Sequence, residues 1–71
     1  MKIVSQNTIL ETLSKGGKIC WDTISARATL QTATGEMLGT IRFDTYCRII
    51  RYAWIERTGS DYSREYYGKK A

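Results

Sequence analysis

Apolar side chains between residues 44 and 53 recur at the spacing of an amphipathic α-helix. The apolar stripe consists of Tyr46, Ile49, Ile50 and Ala53. Arg48, Arg51 and Tyr52 lie on the opposite face, so two guanidinium groups and a phenol are presented to solvent. Asp44 precedes the stripe and is the predicted N-cap. The pattern predicts a basic helix over residues 44–52, anchored on one face and available for binding on the other.

A second amphipathic segment lies near the N-terminus, from about residue 5 to residue 15. Ser5 is a suitable N-cap, and Thr8 with Glu11 forms a competing capping box three residues later. A left-handed residue at Gly16 or Gly17 ends this helix. Its buried stripe consists of Ile9, Leu10 and Leu13.

Between the two helices the pattern changes to the period of two that is typical of β-strands. A first strand covers residues 18–21, and from Thr23 apolar and polar residues alternate for ten positions. A hairpin turn with Gly35 at a positive φ leads into a returning strand over residues 37–43. The first strand of this hairpin turns Ile24, Ala26, Ala28 and Leu30 inward. The second turns Met37, Gly39, Ile41 and Phe43 inward.

The last third of the chain predicts a short hairpin. A strand begins at residues 54–57, residues 58–61 form the tip, and residues 63–67 return. We expect Trp21 and Trp54 in the core, and a frayed basic tail over residues 68–71. The order is therefore helix, long hairpin, helix, short hairpin. It predicts one α+β domain over residues 1–71, a small winged-helix-like domain whose second hairpin is the wing.

The composition limits the catalytic and metal-binding sites that the chain can form. The chain has no histidine, its carboxylates are scattered, and Gly16-Gly17-Lys18 lacks the spacing of a phosphate loop, so we predict no enzyme and no cofactor. Cys20 and Cys47 lack the spacing of a zinc site and are expected to be reduced thiols, with no metal bound. Without a membrane-spanning apolar run or a secretory segment, the predicted location is cytoplasmic.

The net charge of +4 is concentrated after the sheet, because residues 42–71 carry 7 basic and 4 acidic side chains. We therefore predict a small non-enzymatic regulator that binds nucleic acid, most simply double-stranded DNA, by neutralising phosphates. The small size and general character of the chain suggest a phage or mobile-element origin. The predicted contacts are Thr45, Arg48, Arg51, Tyr52, Arg57, Arg64, Lys69 and Lys70.

The alternative is a protein-binding inhibitor or adaptor that uses a tyrosine-rich hairpin surface to bind a host protein. An exposed strand edge could also pair with a second copy, and a homodimer would compensate for the thin core of a domain this short. The predicted contacts for a partner are Tyr62, Arg64, Tyr66 and Tyr67.

Two short motifs resemble the YjhX-type family of small bacterial proteins. They are Ile9-Leu10-x-x-Leu13-Ser14-Lys15-Gly16-Gly17-Lys18-Ile19 and Thr45-Tyr46-x-x-Ile49-x-x-x-x-Trp54-Ile55. The family is toxin-like by name, so the resemblance implies little about mechanism. A winged helix has a scaffold helix where residues 18–43 are predicted to be sheet. That departure argues against the usual presentation of the basic helix to a major groove.

Overall fold

The computed structural model describes residues 2–70, which form two helices and five strands. In chain order they are α1 (Gln6–Ser14), β1 (Lys18–Asp22), β2 (Arg27–Gln31), β3 (Met37–Ile41), α2 (Phe43–Ile49), β4 (Ile55–Ser60) and β5 (Arg64–Lys69). The strands make one antiparallel sheet in the order β3-β2-β1-β5-β4. The first strand therefore lies at its centre.

The predicted winged-helix-like fold is wrong. The second hairpin is not a separate wing, because β5 pairs with β1 from Lys18 opposite Gly68 to Asp22 opposite Arg64. This pairing merges the long and the short hairpin into a single five-stranded sheet. The sequence pattern locates both hairpins, although the tip of the second lies at residues 61–63 and not at the predicted 58–61. It contains no local information about the contact between the two hairpins. The α+β class holds, with a strand-rich, two-layer arrangement in place of the winged helix.

Both helices pack on the same face of the sheet. Along β1, Ile19 and Trp21 point toward the helices, and the alternate side chains point to the other face. Trp21 stacks on Tyr46 of α2 at a centroid distance of 4.6 Å. Leu13 of α1 is fully buried in the same core as Ile19. The core consists of Val4, Ile9, Leu13, Ile19, Ala28, Leu30, Ile41, Tyr46, Ile49 and Ile55.

The first helix forms where the sequence predicts it. The Ser5 hydroxyl accepts a hydrogen bond from the Thr8 N–H at 3.3 Å, so Ser5 is the N-cap. Gly16, at φ +94°, ends the helix as a left-handed residue.

The second helix runs from Phe43 to Ile49 with Arg42 as its N-cap, so it starts one residue earlier and ends three residues earlier than the predicted 44–52. Tyr52 therefore lies outside the helix and is half-buried against the core, and Ala53 is exposed, in contrast to the prediction. Asp44 lies in the first turn, where a carboxylate favours the positive end of the helix dipole.

The predicted ten-residue strand is only half formed, because residues 23–26 make a turn. Asp22 Oδ1 accepts hydrogen bonds from the N–H groups of Ile24 and Ser25 at 2.9 and 3.3 Å, which diverts the backbone from the strand ladder. Ile24 is consequently 76% exposed, and Ala26 has a positive φ of 54°. Neither residue points inward as predicted.

Two further positions predicted to be inward, Met37 and Phe43, are also exposed. A register shift between Leu30 and Gln31 rotates the start of β3, which turns Met37 to the far face.

The C-terminal segment is more ordered than predicted. Gly68 and Lys69 belong to β5, and the Lys70 N–H donates to the Trp54 carbonyl at 2.9 Å, so residues 68–70 are not a frayed tail. Ala71, also part of that prediction, lies outside the described residues. Trp54 is 36% exposed and does not join the core, in contrast to the prediction.

Candidate functional site

Cationic residues that are distant in sequence lie along one edge of the molecule. Arg48 is in the last turn of α2, and Arg51 follows in the loop that leads to β4. The hydrogen bond from Lys70 to Trp54 fixes the end of β5 beside this loop, with Lys69 opposite Ile55. We call Arg48, Arg51, Trp54, Lys69 and Lys70 the basic edge.

A glutamine holds this edge to the first helix. The Arg48 guanidinium donates through Nη1 to Gln6 Oε1 at 3.1 Å. The same amide donates through Nε2 to the Tyr52 hydroxyl at 3.0 Å. The Tyr52 ring in turn lies 6.4 Å from that of Trp54. One neutral side chain at the start of α1 thus positions an arginine and a tyrosine that are both among the predicted contacts.

The arginines of the basic edge keep their charge uncompensated. Among residues 2–70 there are two salt bridges, Lys15 with Glu11 and Arg42 with Asp44, and neither involves this edge. Arg48 and Arg51 are both exposed. The edge therefore presents positive charge to solvent, with one guanidinium held in place by an amide.

The remaining predicted nucleic-acid contacts are distributed over two faces. Thr45 lies one turn before Arg48 and is half-buried. Arg57 is opposite Tyr67 in the register, on the face of the sheet that carries the helices. Arg64 points to the other face, because the next residue, Glu65, accepts from the Tyr67 hydroxyl on the helical side. The fold therefore does not bring Arg48, Arg51, Arg57 and Arg64 together.

The tyrosines of the alternative interface are also separated. Tyr62 lies in the turn between β4 and β5 and is 97% exposed. Tyr66 points away from the helices and lies under the Lys18 ammonium, 4.9 Å from its ring centroid. Tyr67 packs edge-on against Tyr46 at 5.8 Å, beneath α2. Burial raises the pKa of Tyr46 above the ordinary tyrosine value, and the neighbouring Tyr67 hydroxyl adds to the shift. Tyr67 is thus largely a core residue.

The sheet face opposite the helices, which we call the open face, is not covered by another element of residues 2–70. A depression of about 140 Å³ lies on this face, mainly over β1 and β2. The proximity of Arg27 to Arg64 depends on the order of the strands, so the sequence pattern did not predict it. The depression is lined by Cys20, Asp22, Ser25, Arg27, Thr29, Gln31, Met37 and Arg64.

Comparison with known proteins gives no assignment, since no family model, no curated protein and no solved structure matches this chain. The resemblance to the YjhX-type family therefore stays a prediction. Within the described part of the chain, no group of three potential ligands could hold a metal ion. Neither α1 nor α2, the helices of residues 2–70, has the length and hydrophobicity of a membrane span. Both cysteines, Cys20 and Cys47, are free thiols.

Proposed function

We propose that this protein is a small nucleic-acid-binding regulator that contacts the phosphate backbone of double-stranded DNA through the basic edge. The observation that carries the proposal is the contact of Arg48 with an amide in place of a carboxylate. A guanidinium has five N–H donors, so the bond to Gln6 leaves donors for a phosphate. Because the side chain is already ordered, less conformational entropy is lost on binding.

The geometry favours contacts to phosphate over contacts to bases. Helix α2 has seven residues and spans roughly 10 Å at 1.5 Å per residue, which is short for insertion into a major groove. Its last turn is tied to α1 through Arg48 and Gln6. Phosphate contacts fix a protein on a duplex without reading its sequence. The proposed mechanism is therefore occupancy, in which the bound domain displaces or recruits another protein.

Replacing Arg48 and Arg51 with glutamine is expected to weaken binding to a duplex of about 20 base pairs by at least tenfold at low salt. It should also reduce the slope of log affinity against log salt concentration by about two, one for each lost phosphate contact. Fluorescence anisotropy over a salt series measures both quantities. Circular dichroism and the melting temperature should be nearly unchanged, because both side chains are exposed.

The matched control is the double replacement of Arg27 and Arg64 with glutamine, which removes the same charge from the open face. It should change duplex affinity less than about threefold, because these side chains lie away from the basic edge. An equal loss in both double variants would show that net charge alone drives binding. Absence of duplex binding by the wild-type protein at low salt would end the proposal.

The protein-binding alternative stays a prediction that no single surface supports. Its four predicted contacts lie at a turn, on the open face and beneath α2. No observation on these residues favours a particular partner.

A further inference from the structure

Two arginines flank one aspartate on the open face, at the end of the central strand. Asp22 of β1 lies directly opposite Arg27 of β2 on one side and Arg64 of β5 on the other. Side chains at directly opposite positions of an antiparallel pair start roughly 5 Å apart. Both guanidinium groups can therefore reach the space above the aspartate.

The aspartate does not neutralise these arginines by direct pairing. Its Oδ1 accepts from the backbone N–H groups of Ile24 and Ser25, and these bonds are the main reason that its pKa is lowered, with a smaller contribution from Arg64. No salt bridge within 4.0 Å joins Asp22 to either arginine. Neither guanidinium donates a hydrogen bond to another described residue. Two guanidinium groups thus lie beside one carboxylate, and one oxygen of that carboxylate already accepts two backbone hydrogen bonds.

The depression between these side chains is small, and hydrogen-bonding side chains form part of its wall. Its volume of about 140 Å³ is below the roughly 300–1,000 Å³ of pockets that enclose a whole organic ligand. Thr29 and Gln31 line it together with the two arginines, and each can donate a hydrogen bond. Its size and its donors suit one phosphate group.

An aromatic ring lies beside the depression on the same face. Tyr66 is opposite Cys20 in β1 and opposite Gly59 in β4. Gly59 has no side chain to cover the ring, and the Lys18 ammonium lies over the ring. A base can therefore approach the ring if this lysine swings aside, and the lysine can then pair with a neighbouring phosphate.

We propose that the open face binds single-stranded nucleic acid, with one phosphate between Arg27 and Arg64 and an adjacent base stacked on Tyr66. Positive charge together with an aromatic ring is the combination that binds single strands, whose bases are free to stack. Tyr66 is half-buried, and Lys18 must move for a base to reach its ring. A paired duplex keeps its bases inside the helix and cannot make the stacking contact. This site is separate from the basic edge and does not depend on it.

The test uses a fluorescent oligothymidine of about ten nucleotides, which forms no duplex, with anisotropy measured at low salt. Replacing Arg27 and Arg64 with glutamine should weaken binding at least tenfold. Replacing Arg48 and Arg51 with glutamine removes the same charge elsewhere and should weaken it less than about threefold. The two double variants are expected to show the reverse order with duplex DNA. Failure at one site is thereby distinguished from failure at the other.

Two further measurements keep the proposal testable if the arginine variant folds poorly. Tyr66→Leu keeps an apolar side chain but loses the ring, and should weaken oligothymidine binding by about fivefold. In the wild-type protein, oligothymidine should shift the backbone amide signals of residues 27–31. The proposal would be overturned if both arginine variants lost the same affinity, or if the wild-type protein did not bind the strand. It would also be overturned if inorganic phosphate, at equal phosphate concentration, competed as well as the strand.

Discussion

Ile19→Ala is expected to lower the free energy of unfolding by about 3 kcal/mol. Ile19 is fully buried on the central strand, with Leu30 and Tyr67 opposite it on the two neighbouring strands. Removing its outer carbons opens a cavity between sheet and helices that neighbours on both sides cannot fill. A 71-residue domain is stabilised by only roughly 4–10 kcal/mol in total, so urea unfolding should detect a large shift in midpoint.

The matched control is Ile24→Ala, which removes the same atoms from a residue that is 76% exposed. We expect it to cost less than about 0.5 kcal/mol, because almost no buried surface is lost. The pair also tests the turn at residues 23–26, since a regular strand there would bury Ile24. Similar losses for the two variants would mean that the description of this turn is wrong.

Gly17→Ala is expected to destabilise the protein by about 2 kcal/mol and to lower its melting temperature by about 10 °C. Gly17 is buried where α1 passes into β1, and its N–H donates to the Thr12 carbonyl at 2.9 Å. An added Cβ would lie 2.6 Å from the Gln31 carbonyl oxygen and 2.8 Å from that of Thr12. These are backbone atoms, so they cannot rotate away, and the helix must shift from the sheet.

Gly59→Ala provides the comparison for this effect. An added Cβ there has no neighbouring atom within 4 Å, and the residue needs no left-handed backbone. Its melting temperature should stay within about 3 °C of wild type. If the Gly17→Ala protein had the same melting temperature as the Gly59→Ala protein, α1 and β2 would not be in close contact at this junction.

Short-range patterns predicted the individual elements because their causes are local. The apolar spacing in residues 9–13 and the hydroxyl of Ser5 are sufficient to define α1. The alternation over 23–31 was misleading because Asp22 captures two backbone N–H groups and starts a turn, which alternation cannot reveal. The winged-helix-like fold was wrong because the pairing of β1 with β5 joins residues 42 to 50 positions apart, from Asp22 with Arg64 to Lys18 with Gly68. No local pattern specifies such a contact.

The candidate site likewise has features that the local sequence pattern predicts and features that depend on the tertiary fold. The exposure of Arg48 follows from the helical stripe and was predictable. Arg51 is also exposed, but it lies beyond the end of α2, where the stripe no longer applies. The bond from Gln6 to Tyr52 spans 46 positions and appears only once α1 and α2 share a layer. The positions of Arg27 and Arg64 on either side of Asp22 likewise depend on the order of the strands in the sheet.

The most direct test of the central proposal is a titration of the isotope-labelled protein with duplex DNA, followed by backbone amide chemical shifts. The proposal predicts that the largest changes fall on residues 48–54 and 69–70, and that they diminish as salt is added. It also predicts a change at Gln6, because its amide holds Arg48. Changes confined to residues 27–31 and 64–66, or none at low salt, would contradict the assignment of the basic edge as the DNA-binding surface.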